Sequence, residues 1–319
     1  MSLDETTPHE EALHELYQMV KPKTEGEEIP RFRFAYFTVR FAAQLLALTL
    51  VGWLIIISTG NQTIIRANLD LASGKFAVTL LGTMLLLCFS EYFLHLYPMH
   101  KGLKLPLGRP RWLTEGLNNW LDSIRHSHDG IHHRLTDVGR LKGNLLNEYP
   151  IDEVAKTRSA TFPKLAIVLF WGVFAIPATA LQLILPTLPV LVCFAISISW
   201  SVWLYENRHA IDHFPEDWWR RQCRKPLIGP LMMRIHALHF VHHLNRRRNL
   251  NVGGLFLVPL ADITFGTYRY PRTLMEAWLS EEPSTDWRAV LQEAIVDINR
   301  SPWSFQIRST LKRALQRTA

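Results

Sequence analysis

The 319-residue chain is poor in the residues that staple a fold, with only three cysteines. Cys88, Cys193 and Cys223 lie far apart, which excludes a disulfide scaffold, a zinc ribbon and a thiolate-held iron–sulfur cluster. They read as small packing residues, two of them inside apolar runs. Sixteen glycines and eighteen prolines without a period leave no room for a collagen-like or low-complexity chain. Charge is also missing over long distances. No charged residue occurs from Phe41 to Ile65, a run of 25, or in the 41 residues from Leu165 to Tyr205.

At 1.5 Å per helical residue the first run reaches about 37 Å, more than the roughly 30 Å of a hydrocarbon core. A helix in water seldom stays uncharged on every face for seven turns, so these runs read as membrane spans and not as a buried soluble core. A second run begins at Phe76. Pro186 and Pro189 divide the longest one into two antiparallel helices. The expected fold is all-α: an integral membrane bundle of about four transmembrane helices, near 41–65, 76–97, 165–185 and 190–208, with a cytoplasmic helical cap. Residues 1–35 read as a polar helix and linker. Residues 36–272 form the membrane domain and 273–319 the C-terminal helices, with Trp278, Leu279, Trp287, Val290, Leu291 and Ile295 as apolar contacts. Met1–Glu28 is acidic and polar, so the first span is expected to serve as its own insertion signal.

The net charge of +7 follows a pattern. Lys21, Lys23, Arg31, Arg33 and Arg40 precede the first span, whereas the loop after it offers Arg66 and Lys75. Eleven lysines and arginines from Lys101 to Lys164 separate the second and third spans, and the segment after Tyr205 is basic too. This bias places both termini in the cytoplasm, of a bacterial inner membrane or of endoplasmic reticulum. It accounts for the charge without nucleic acid, since no nucleic-acid-binding signature accompanies it. Asn61-Gln62-Thr63 fits a glycosylation pattern too short to carry weight.

Fourteen histidines are the unusual entry in the composition, and twelve lie between His95 and His243. Ten of these fall into four clusters near the cytoplasmic span ends: His95 and His100; His128, His132 and His133; His209 and His213; His239, His242 and His243. A spacing of three or four on a helix brings two imidazoles to one face and lets their tips converge on one ion. His128 with His132, His209 with His213, and His239 with both His242 and His243 satisfy it. His95 and His100 are five apart, and Pro98 between them offers a way to distort that turn. Members of the doublets His132-His133 and His242-His243 point about a hundred degrees apart. Each doublet is therefore expected to give one ligand to each of two neighbouring metals. Imidazole sets suit iron, zinc or copper and not magnesium or calcium. His9 and His14 read as surface residues; His126 and His236 are open between supporting a ligand ring and ordinary packing. Bis-histidine haems are a rival that would need histidines across facing spans. A transporter would need ionisable groups deep within them.

Together, His95-x4-His100, His128-x3-His132-His133, Tyr205-Glu206-x-x-His209-x3-His213, His239-x2-His242-His243 and Asp262-x-x-Phe265-Gly266-Thr267-Tyr268 resemble the fatty acid hydroxylase and sterol desaturase superfamily. The resemblance covers roughly residues 35–272. It implies a dimetal centre of two iron ions, for which zinc can substitute in purified protein, with O2 as co-substrate and a lipid-like hydrophobic substrate. It implies His95, His100, His128, His132, His133, His209, His213, His239, His242 and His243 as ligands. Glu91, one turn before His95, is a candidate for orienting that ring, and Asp129, Asp137 and Asp212 are weaker ones. Electrons would come from a separate ferredoxin, cytochrome or reductase. Hydroxylation is the first expectation and desaturation by the same centre the second.

Overall fold

The computed structural model describes residues 34–106, 110–138, 141–142, 145–146, 166–280, 282 and 284–299. The expected N-terminal helix and linker, and the end of the C-terminal segment, lie outside them, as do His9 and His14. Three helices are long and apolar enough to cross a membrane: Phe37–Ser58, Gly74–Lys101 and Val190–Asp212. They belong to α1 (Phe34–Ser58), to α3 (Gly74–Leu94) with its continuation, and to α6 (Val190–Asp212). In α5 (Ala166–Ile184) the apolar stretch Phe170–Ile184 is shorter.

The first span ends earlier than the uncharged run. Gly60 takes a left-handed φ of 64°, and Asn61 caps a separate short helix, α2 (Gln62–Leu69), accepting the N–H groups of Thr63 and Ile64. A polar cap and a glycine break a helix even where no charge marks the place.

Helices α3 and α6 run side by side in the same direction. Leu87 packs with Phe194, Ile198 and Ala178, and the hydroxyls of Thr83 and Ser197 meet at 2.8 Å. At the far end Gln182 accepts from Asn68 (2.9 Å) and from the Leu191 N–H (3.1 Å) and donates to the Leu188 carbonyl (2.9 Å). It thereby satisfies backbone groups at the α5–α6 turn that water cannot reach in an apolar setting.

Beyond the other end of α6 lies a cap of α7 (Glu216–Cys223), α8 (Gly229–Leu244), α9 (Leu260–Phe265), α10 (Arg272–Ser280) and α11 (Trp287–Asn299). Trp219, Phe240, Leu274, Met275, Trp278, Leu291 and Ile298 share one core, so α10 and α11 pack with α7 and α8. Of the apolar contacts expected there, Ile295 is 43% exposed and takes no part in that core. The strand content among the described residues is one two-residue pairing, Leu141↔Leu146 and Lys142↔Leu145.

Candidate metal centre

The histidines come from four places at one end of the long helices. After Leu94 the α3 helix widens into a π-helix, His95–Lys101, with Pro98 inside it. Helix α4 (Arg111–Arg125) does the same over His126–His132. A proline removes one i→i−4 hydrogen bond, and i→i+5 bonding puts residues five apart on one face. His95 and His100 accordingly stack with ring centroids 5.0 Å apart.

Ten buried or nearly buried histidines gather in two groups of five. His95, His100, His128, His133 and His242 form one; His132, His209, His213, His239 and His243 form the other. Within each, one ring nitrogen from every residue lies within 4.8 Å of the rest. Each doublet gives one member to each group. The pairing differs from the α-helical expectation at His128, which shares its group with His133 and not His132; of the two partners open to His239, it takes His243 and leaves His242 to the other group. The first follows from the π turn. The second follows from the i, i+4 register of regular α8, since only one of two adjacent rings can share His239's face.

The Nε2 atoms of the first group form a chain of contacts: His95 to His128 at 3.0 Å, then His128 to His133, His133 to His242 and His242 to His100, each at 3.2 Å. In the second group His239 stands 3.0 Å from His213 and 2.9 Å from His243. Ligands about 2.1 Å from an ion and at right angles to one another have edges of roughly 3.0 Å, so these spacings suit a coordination shell.

The opposite ring nitrogens fix the tautomers. His95 Nδ1 donates to the Leu250 carbonyl (2.5 Å), His242 Nδ1 to the Arg248 carbonyl (3.0 Å), and His100 Nδ1 to an Asp129 carboxylate oxygen (2.9 Å). His243 Nδ1 lies 3.1 Å from the Thr136 carbonyl. A neutral imidazole that donates through Nδ1 presents a lone pair at Nε2. His100 and His242 therefore face each other with two lone pairs. Without a cation there, one ring would have to be a buried imidazolium. Burial instead pushes His128, His132, His133, His239, His242 and His243 well below the usual imidazole range, which keeps them neutral. His132 is fully buried with neither ring nitrogen hydrogen-bonded. Such a nitrogen is costly unless something else takes its lone pair. The donor set therefore fits two borderline metal ions such as iron or zinc.

The carboxylates divide differently from expectation. Glu91 does not bond the His95 ring; its oxygens accept the N–H groups of Val252, Gly253 and Gly254 at 2.6, 2.9 and 2.8 Å. It orients His95 only through the loop that carries the Leu250 carbonyl. Gly254 has φ +54°, and a Cβ there would come 2.4 Å from the Val258 carbonyl oxygen, so the loop needs glycine. Asp129, the weaker candidate, bonds a histidine directly and also pairs with Arg246 at 2.9 Å. Burial works against its charge, but His100 and Arg246 outweigh it and hold the carboxyl below its usual range. Asp212 is buried in an ion pair with Arg208. Asp137 is half-buried. His236 lies between Trp219 and Trp278, at 4.7 and 4.4 Å, and His126 is exposed; neither belongs to a group.

Asp262 and Thr267, from the closing motif, build the platform under the ligands. Asp262 accepts the N–H groups of Leu250 (2.9 Å) and Asn251 (2.7 Å) and the Thr267 hydroxyl (2.6 Å). Leu250, Arg248 and Thr136 have no motif that marks them, because each meets a ring through its backbone carbonyl, which carries no residue signature. Beside His95 and Tyr205 opens a hollow lined mostly by apolar atoms, among them those of Leu87, Leu94, Met99 and Val202, with Glu91 at its wall. No family model, curated protein or solved structure matches this chain.

Proposed function

We propose that the protein is a membrane dimetal oxygenase that hydroxylates a C–H bond of a lipid or other long hydrophobic substrate. The observation that carries this reading is the facing pair of Nε2 lone pairs of His100 and His242, within the first of two fivefold imidazole groups and beside an apolar hollow. Two iron ions, when bound, would supply O2 activation and attack on the C–H bond. The chain's own residues have the complementary tasks. His95, His100, His128, His133 and His242 would hold one ion, and His132, His209, His213, His239 and His243 the other. Asp129 and the carbonyls of Leu250, Arg248 and Thr136 keep ligand rings in the binding tautomer, as outer partners of metal sites do. Leu87, Leu94 and Val202 exclude water from the hollow where the alkyl group would lie.

On this reading α5 is a fourth span, the histidine cap faces the cytoplasm with both termini, and electrons arrive from a separate soluble or membrane donor. The basic residues flanking the spans support that orientation. Metal analysis of purified protein is expected to find about two ions per chain and fewer in His132→Ala and His242→Ala. Full metal in both variants would falsify the assignment. Lipid mass spectrometry with and without the active protein, with a reductant and donor supplied, is expected to show a product heavier by one oxygen. A product lighter by two hydrogens would instead assign the same centre to desaturation.

A further inference from the structure

Helices α7 and α8 form a hairpin whose turn points back toward the membrane-spanning part of α6. After Pro215 the chain reverses: Trp219 Nε1 donates to the Ile211 carbonyl (3.0 Å), and the Trp219 ring meets the Arg208 guanidinium at 5.7 Å. Helix α8 returns along the same side, with the Ile235 carbonyl accepting from Arg208 (2.5 Å) and His239 and His243 reaching His213. Arg208 stands three residues, about 4.5 Å, beyond Tyr205, where the uncharged run of α6 ends. The four residues from Trp219 to Cys223 cover about 6 Å in the opposite direction. The turn that follows, Arg224–Ile228, therefore comes level with the hydrocarbon edge.

The tip of this turn is apolar and presented outward: Leu227 is 95% exposed, Ile228 46% and Leu231 59%. It is also held rigid. The Gly229 N–H donates to the Lys225 carbonyl (2.8 Å), a Cβ on Gly229 would collide with the Cys223 carbonyl oxygen, and Pro226 and Pro230 restrict the backbone on either side. From Trp218 to Arg234 there are five arginines and lysines and no acid. Arg221, Arg224, Lys225 and Arg234 are exposed. Leucine and isoleucine presented between cations suit the interface of an anionic bilayer, where acyl chains take the apolar groups and lipid headgroups the charge.

We propose that the α7–α8 turn is a non-spanning membrane contact. Leu227, Ile228 and Leu231 enter the acyl region just below the headgroups, and Arg221, Arg224 and Lys225 hold the anionic lipid headgroups around them. The contact needs no metal and does not rest on the oxygenase reading. Because α8 runs on from this turn to His239, His242 and His243, it ties three of the clustered rings to the bilayer surface.

The test places a nitroxide spin label at Leu227→Cys in the full chain; Cys88, Cys193 and Cys223 are buried, so the new thiol is the one that reacts. The protein is reconstituted in phosphatidylcholine vesicles with and without phosphatidylserine, and collision of the label with oxygen and with a neutral water-soluble nickel chelate is read by electron paramagnetic resonance. With phosphatidylserine present the label is expected to collide with oxygen and to be shielded from the chelate about fivefold or more, the factor one cation near an anionic surface supplies. Omitting phosphatidylserine, or adding Arg221→Gln and Lys225→Gln together, should restore much of the chelate contact at an unchanged melting temperature. A label open to the chelate in every bilayer would place the turn in water and overturn the contact. A label shielded from both reagents would also overturn it, assigning the patch to another segment of the chain or to a second copy. Shielding that ignores both phosphatidylserine and the two substitutions would overturn the headgroup role of the cations.

Discussion

Replacing Asp262 by alanine tests the platform under the ligands. The carboxylate is fully buried and takes two backbone N–H groups and one hydroxyl. Each orphaned buried donor costs about 1–3 kcal/mol, so the three together cost about 3–9 kcal/mol. Burial raises the Asp262 carboxyl above its usual range, against the pull of its hydrogen bonds. A raised acid is stabilising when protonated, and that contribution is lost as pH rises through the carboxylate range toward the folded value. At neutral pH the aspartate therefore already carries a penalty, which moves the net loss to the lower end, about 3 kcal/mol. For a domain of this size that is roughly 6–12 °C of melting temperature. A thiol-reactive dye reads the unfolding, because Cys88, Cys193 and Cys223 are all buried and Cys88 lies 3.8 Å from Asn251 in this same knot. Thr267→Val removes one of the three bonds and should show about a third of the shift. An Asp262→Ala protein that melts with wild type, or no lower than Thr267→Val, would refute the reasoning.

Asp129→Asn should weaken metal binding about 10–100-fold by competitive chelation, because the amide no longer balances the His100 N–H and the Arg246 guanidinium together; unchanged affinity would remove Asp129 from the site. His236→Phe should keep its full metal while His239→Phe loses part of it, since His236 packs between two tryptophans outside both groups. Equal metal loss in the two variants would contradict this placement. Metal-free protein should lose stability as pH falls below about 6.5, the ordinary histidine value. Burial depresses the folded values of His128, His132, His133, His239, His242 and His243, so the unfolded chain takes up protons the fold excludes, at up to about 1.4 kcal/mol per pH unit for each ring. Melting temperatures equal at pH 7.5 and 5.5 would count against it.

What the sequence made legible was chemistry that depends on residue type. The apolar runs located the long helices, and the two doublets announced that adjacent rings would part company. Helix geometry was less legible. The i, i+4 rule paired His128 with His132, but the π turn at His126–His132 substitutes a five-residue face. Pro98 flagged the matching distortion in α3, whereas nothing comparable marks the one in α4. The end of α1 is hidden by the lack of charge, which runs on to Ile65, although Gly60 and Asn61 mark the break. Glu91 lies one helical turn from His95, yet it binds a loop more than 160 residues away in sequence. The carbonyls of Arg248, Leu250 and Thr136 could not be foreseen, since every residue has one.

The division of each doublet has a consequence for how such a protein fills. His132 and His133, and likewise His242 and His243, are joined by a single rigid peptide unit, so a displacement that spoils one pocket spoils the other. Whatever affinity a first ion confers on the second is returned in equal measure. On the dimetal reading, ordering one group by an ion favours filling the other, so half-filled chains should be fewer than two independent sites would give.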